Sequence, residues 1–301
     1  MNTGRTSNEF NSEGTAGTIR KLRRHKFILV LIFLVLFIAA ELFRSNFMID
    51  CEDFTYLSKQ VPVGFDGVKI AQISDYHNHG GGLDDRIIDK LKLERPDYIF
   101  ITGDTVDSIR TDLDKAKNFL EKVAKIAPCY MVWGNHEMEL KISQREEMAA
   151  FCKEKGITLL NNECVEIERN GSKMLLAGTG NDIDSASVEE FFATMPEQKK
   201  FVVWLHHYPE DFEEIVKKSE KKGSRCDLMF AGHAHGGLIG VPFAGGLYAP
   251  GQGIFPKYID GKYDNGESAM IVSRGVGNSG YTMRFFNSFH LVFCTLKTAN
   301  K

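Results

Sequence analysis

The 301-residue chain has six cysteines, Cys51, Cys129, Cys152, Cys164, Cys226 and Cys294, yet no C-x-x-C pair and no zinc-ribbon spacing. That excludes a sulfur-built metal knuckle or a dithiol redox motif. Several of these cysteines sit in or beside apolar runs and read as buried thiols, so no disulfide is required. Internal repeats are absent, and low complexity is confined to a polar amino-terminal stretch. Basic charge is scarce beyond that stretch. The net charge is −3, and residues 1–26 alone carry +4, which leaves the remainder at −7. An acidic body excludes long nucleic acid as the partner but leaves room for a small phosphate ester held at a metal. What is present is ordinary globular composition, 43% hydrophobic and 26% charged, enough for one large domain or two small ones.

Residues 1–19 are rich in Ser, Thr, Asn and Gly and read as unstructured. With the basic cluster that follows, Arg20 to Lys26, they form a polar cytoplasmic tail over 1–26. Residues 27–40 are uninterrupted apolar sequence, and Leu42 and Phe43 extend the run past Glu41. A helix over 27–43 would reach about 25 Å, slightly short of a hydrocarbon core of roughly 30 Å. Snorkelling of Lys26 and Arg44 covers the difference. Positive charge before the span predicts the amino terminus inside and the body outside, a single-pass protein of the cell membrane with its catalytic domain extracytoplasmic. The rival is a cleaved signal peptide with Ala39-Ala40 before the cut, which Ile38 makes a poor small-x-small site. A buried core helix fits less well, because the run has no amphipathic period.

Residues 44–66 read as a linker and 67–297 as the main domain. Strands are expected at 68–74, 98–102, 129–133, 201–205, 228–231, 269–273 and 290–296, and helices at 83–93, 113–126, 144–155, 188–193 and 211–218. A hairpin at 165–168 and 174–177 turns on Asn170-Gly171. Strands alternating with helices, then hairpin-like strands, predict an α/β domain with mixed sheets.

Five strand ends carry residues able to bind metal. They are Ser74-Asp75-Tyr76-His77, Gly103-Asp104-Thr105-Val106-Asp107, Gly134-Asn135-His136-Glu137, His206-His207-Tyr208-Pro209 and Gly232-His233-Ala234-His235. In an extended segment residues i and i+2 face the same way, so Asp75 with His77, and His233 with His235, are each expected to converge. Gly232 is expected to let the chain turn as its strand ends. Carboxyl ends of strands in such a sheet fall on one edge, where sites form. Two carboxylates, an amide and at least four imidazoles exceed one metal's need and suit two ions of Mn, Fe or Zn. Such a pair clamps a phosphate, with a hydroxide bridging the metals as nucleophile. Taken singly, each stretch has an ordinary reading as a turn, a cap or a core histidine.

The order D-x-H, G-D-x-x-D, G-N-H-E, H-x-P, G-H-x-H over residues 67–297 resembles the calcineurin-like metallophosphoesterases. The stretches GHAHGGLIGVPFAGGLYAPGQGIFPKY and VSRGVGNSGYTMRFFN resemble their membrane-associated bacterial branch. The resemblance implies two mixed β-sheets packed as a sandwich flanked by helices. It implies one metal held by Asp75, His77 and His235, a second by Asn135, His207 and His233, and Asp104 bridging both. His207 is preferred to His206 because it lies two before Pro209. His136 would face the substrate as charge stabiliser or acid, oriented by Asp107. His79 has no fixed role, and Arg274 and Arg284 read more readily as exposed arginines than as phosphate contacts. The function implied is hydrolysis of a phosphodiester or pyrophosphate bond, on an envelope or lipid-linked substrate suited to the glycine- and aromatic-rich loops of 236–258. The alternatives are a general or cyclic-nucleotide phosphodiesterase and, in another class, a metal-stabilised binding protein without turnover.

Overall fold

The computed structural model describes residues 7–180, 183–195, 200–241, 245–280 and 282–299. The chain divides into two units, 1–44 and 45–301. The first is dominated by helix α1, Ser7–Phe47. The polar stretch expected to be unstructured is therefore helical from Ser7 onward, while residues 1–6 lie outside the described residues. Within α1, Arg20–Phe47 is a 28-residue segment whose most apolar 18-residue stretch has a mean hydropathy of 2.7, long and apolar enough to cross a membrane.

The second unit opens on a correction. The supposed linker holds a ten-residue strand, β1 (Ile49–Ser58), paired in parallel with the last strand of the chain. Most of its side chains are exposed, so it carries little of the apolar signal that marks a buried strand. The chain then runs through β2 (Lys69–Ile73), α2 (Gly82–Glu94), β3 (Tyr98–Thr102), α3 (Leu113–Ala124), β4 (Cys129–Val132), α4 (Asn135–Glu139), α5 (Ile142–Glu154) and β5 (Thr158–Leu159). Together with β16 (Phe289–Thr298), these strands form one six-stranded sheet in the order β1-β16-β2-β3-β4-β5. From β2 to β5 the pairing is parallel, and β16 runs antiparallel to β2.

The second six-stranded sheet is ordered β14-β15-β9-β8-β7-β6. Its elements are β6 (Glu163–Arg169), β7 (Ser172–Gly178), α6 (Ala186–Thr194), β8 (Val202–Leu205), α7 (Phe212–Lys221) and β9 (Leu228–Ala231). Four two-residue strands follow, β10 (Gly240–Val241), β11 (Gly245–Gly246), β12 (Tyr248–Ala249) and β13 (Gly253–Ile254). They pair as two short ribbons before β14 (Gly261–Asp264) and β15 (Ala269–Val272) return to the sheet. The expected β6–β7 hairpin is present, and Asn170 and Gly171 at its turn both have positive φ.

The core explains the layering. Ile70, Phe100, Val132 and Leu296 from the first sheet meet Leu176, Val203, Leu205 and Phe230 from the second. The outer face of the first sheet packs on Ile87, Leu91, Leu120 and Met148 of α2, α3 and α5. The outer face of the second packs on Phe191, Phe192, Phe212 and Ile215 of α6 and α7. Central strands such as β3, β8 and β9 are buried on both faces, which is why they read as solid apolar runs. The result is two mixed sheets face to face with helices outside.

Candidate metal centre

The loops that leave β2, β3 and β4 on the first sheet, and β8 and β9 on the second, meet at one edge of the sandwich. Two of these loops are zipped together by the backbone. Asp75, His77 and Asn78 donate their N–H groups to the carbonyls of Gly103, Asp104 and Thr105. The Glu137 carboxylate then accepts the N–H groups of Asp104, Val106 and Gly134 at 2.8–2.9 Å, tying the loop after β3 to that after β4. Burial, then the nearby Asp104 charge, push the Glu137 carboxyl up to about 7. Sequence reading quoted Glu137 within a motif without giving it a role; its duty is to satisfy backbone donors, and only the fold reveals them.

The ligand side chains converge for a different reason from the one expected. Asp75, His77, Asp104, His233 and His235 are not extended; their φ angles are 52°, 48°, 53°, 66° and 47°. The loops curl through the left-handed region, which short polar residues tolerate better than bulky ones. Gly232 also differs from expectation. It does not turn the chain with a positive φ; it is glycine because a Cβ would collide with Ser74 and Asp75. Gly103 does need its φ of 92°, and a side chain there would strike His207 and the Gly134 backbone.

Three groups of His and Asp donors result, all buried; two meet around Asp104, with the half-buried Asn135 beside the second, and His77, Asp107 and His136 form the third. In the first, His77 Nε2 and His235 Nε2 lie 3.3 Å apart, and Asp75 Oδ1 is 3.4 Å from His235 and 4.0 Å from His77. In the second, His207 Nε2 lies 3.1 Å from Asp104 Oδ2, 3.2 Å from His233 Nδ1 and 3.2 Å from Asn135 Oδ1. Asp104 Oδ2 is also 3.7 Å from His77 Nε2, so this one oxygen reaches both groups. His207 Nδ1 donates to the Thr102 carbonyl at 2.8 Å, which directs the Nε2 lone pair at the cluster.

The electrostatics of the cluster favour a cation. Burial pushes Asp75 up to about 6, partly offset by His207. Burial also acts to raise Asp104, but His207 and His77 outweigh it and hold the carboxyl low. For His207 burial opposes the charged form, yet the Asp104 carboxylate lifts it to about 10. Burial holds His77 and His233 down to about 3 and His235 well below its usual range. Three neutral imidazoles and two buried carboxylates thus crowd one site, with separations of 3.3–4.0 Å among His77, His235, Asp75 and Asp104. Divalent cations of the Mn, Fe or Zn kind satisfy such a donor set.

The remaining expected residues fall as follows. His206 turns away from the cluster, bonded to Thr179 Oγ1 at 2.8 Å and Asp211 Oδ2 at 2.9 Å. His79 contacts the Gly80 carbonyl and the edge of Phe289. His136 lies edge-on to His77, with ring centres 4.5 Å apart. Its orientation corrects the expected Asp107 pairing. Ser108 donates its backbone N–H to His136 Nδ1 at 2.9 Å, and Ser279 Oγ stands 3.1 Å from Nε2. The Asp107 carboxylate is occupied by the N–H groups of Ile109, Arg110 and Gly280. Arg284 is fully buried rather than exposed, donating to the carbonyls of Arg274 and Gly277 and lying 3.1 Å from His235 Nδ1. Arg274 is paired with Asp260 and Asp50. Beside the cluster a cavity of about 520 Å³ is lined by His77, Asn78, Arg110, Lys115 and Thr282.

Sequence comparison agrees with this geometry. The family model for calcineurin-like phosphoesterases matches residues 68–237, more than half of the chain. An uncharacterized metallophosphoesterase of Aquifex aeolicus is 27% identical over 277 residues, 88% of this chain and 98% of its own length. The metallophosphoesterase YkuE of Bacillus subtilis is 28% identical over 267 residues, covering 84% of this chain and 87% of its own length. The phosphodiesterase YaeI of Escherichia coli is 28% identical over 186 residues, 62% and 65% of the two chains.

Proposed function

We propose, from the premise that this chain belongs to the calcineurin-like phosphoesterases and is a hydrolase of phosphoester bonds, that it works with two divalent metal ions on a phosphodiester or pyrophosphate. Asp75, His77 and His235 would hold one ion, and Asn135, His207 and His233 the other, with Asp104 shared. The observation that carries this reading is the Asp104 carboxylate oxygen within 3.7 Å of a histidine from each donor group. When bound, such ions supply Lewis-acid polarisation of the phosphoryl oxygens and a nucleophile from water at neutral pH.

The chain's own groups do the rest. Because the Ser108 N–H donates to His136 Nδ1, the neutral ring carries its proton on Nε2. That N–H faces Ser279 Oγ, and from there it can donate a hydrogen bond to the departing oxygen and stabilise its developing charge. Burial of the Asp and His ligands excludes bulk water from them and strengthens the field at the phosphate. The apolar segment Arg20–Phe47 supports a membrane-anchored enzyme whose body lies outside the cytoplasmic membrane, acting on an envelope or lipid-linked phosphoester.

The test is elemental analysis of the purified full chain alongside turnover of a chromogenic phosphodiester, with the monoester for comparison. The expected result is two transition-metal equivalents per chain, preference for the diester, and loss of both metal and turnover on chelation. Full activity in a chain free of transition metal would overturn the mechanism.

A further inference from the structure

The catalytic unit begins at its active edge. Strand β1 is parallel to β16, and β16 is antiparallel to β2, so β1 starts where β2 ends. The end of β2 is where Asp75 and His77 emerge. The first two residues of the unit, Ser45 and Asn46, are fastened there. Ser45 Oγ accepts the Asn287 N–H at 3.1 Å, and Asn46 exchanges hydrogen bonds with the Arg284 backbone at 2.8 and 2.9 Å. That same segment touches a ligand: Asn287 Nδ2 donates to the His235 carbonyl at 2.6 Å, and Arg284 stands against its ring. Only Arg44 separates Ser45 from the end of the apolar run at Phe43.

Beside this seam lies a continuous apolar surface. Ile239 bridges to Phe285, Leu247 donates its N–H to the Ile239 carbonyl, and Phe255 donates to Leu247. Tyr248 pairs across its ribbon with Ile254. The side chains face solvent: Ile254 is 71% exposed, Phe255 64%, Met283 62%, Tyr248 47% and Ile239 42%. A soluble surface rarely leaves such residues together, and a contiguous exposed patch marks an interaction face.

We infer that these ribbons, with Met283, are a membrane-contacting surface that seats the metal centre on the bilayer. The occupant is lipid because the chain leaves its apolar span two residues before the hydrogen bonds that fix it to this edge. The point where the chain enters the unit and the exposed apolar ribbons therefore share one edge of it. Ile254, Phe255 and Met283 would then sink ~5–10 Å into the headgroup–acyl boundary, with Tyr248 at the level aromatic residues prefer. The scissile phosphate would accordingly be one presented at headgroup depth. This inference rests on the anchored reading above, though not on turnover.

The chain has two tryptophans, Trp133 and Trp204, and both are buried, so a surface tryptophan reports cleanly. Full-length variants Phe255→Trp, Met283→Trp, Leu93→Trp and Phe33→Trp would be reconstituted into phosphatidylcholine–phosphatidylglycerol vesicles, with and without acyl-brominated lipid. Leu93 is 70% exposed and precedes β3, at the opposite edge of the sheet. Bromolipid should quench the added tryptophan about twofold or more at positions 255 and 283 and leave position 93 unchanged. Quenching at 255 and 283 no greater than at 93 overturns the inference. Phe33 then identifies which reading has failed: quenching there leaves the anchor intact and rejects the surface alone, and its absence rejects both.

Discussion

The two sheets contribute unlike chemistry to one site. Loops from the first bring the carboxylates Asp75, Asp104 and Asp107, the Asn135 amide and the imidazoles of His77 and His136. Loops from the second bring only imidazoles, His207, His233 and His235. One half carries the negative charge and the other contributes imidazole nitrogens alone. The two donor groups that meet around Asp104 each take members from both halves, while a third, His77 with Asp107 and His136, comes from the first alone. The lesson is that assembly of the sandwich and assembly of the site are one event, with Asp104 and His207 at the contact.

The sharpest way to break this division is Asp104→Asn. It leaves the shape and removes the charge both groups share, so metal content and turnover should fall together, the rate by ~10³-fold or more. Elemental analysis and steady-state kinetics on one preparation read both. A result in which metal stays and the rate falls would move Asp104 out of the ligand set. His136→Ala separates ligation from chemistry. Metal should remain while kcat drops ~10²–10³-fold, the usual contribution of one positioned hydrogen-bond donor to developing charge. Metal removal tests whether cations stitch the halves together. At free metal 100-fold above Kd, the folded state should gain about 2.7 kcal/mol, read as a shift in denaturant midpoint. Ser108→Ala is the mildest case. It deletes the hydroxyl beside His136 and keeps the backbone donor, so kcat should change less than about tenfold with metal content unaltered. His206→Ala is its counterpart on the second sheet. It should keep metal and lose ~1–3 kcal/mol of stability, because Thr179 and Asp211 lose their partner.

Much of the sandwich could be read from sequence because β3, β8 and β9 are buried on both faces and bounded by glycine and polar residues. The residues of the site were legible as polar clusters at strand ends. Their geometry was not. Alternation along an extended chain predicted convergence of Asp75 with His77, whereas curled loops produce it, and left-handed φ leaves little trace in a run of Asp and His. The β1 strand escaped notice because its ten residues are mostly exposed and it finds its partner at the far end of the sequence. Ser108 meets His136 Nδ1 with both its backbone N–H and its hydroxyl, and the backbone part, which any residue there except proline would supply, leaves no side-chain pattern in the sequence. The burial of Arg284 depends on two carbonyls and the Asn278 side chain assembled by tertiary structure.

The left-handed backbone at Asp75, His77, Asp104, His233 and His235 also bears on descent. Each holds an L-residue where glycine would rest more easily, a standing cost of about 1 kcal/mol apiece. Selection for folding alone would erode these positions toward glycine. In a lineage that has abandoned hydrolysis, loss should therefore begin at these five codons, while the sheets beneath them persist.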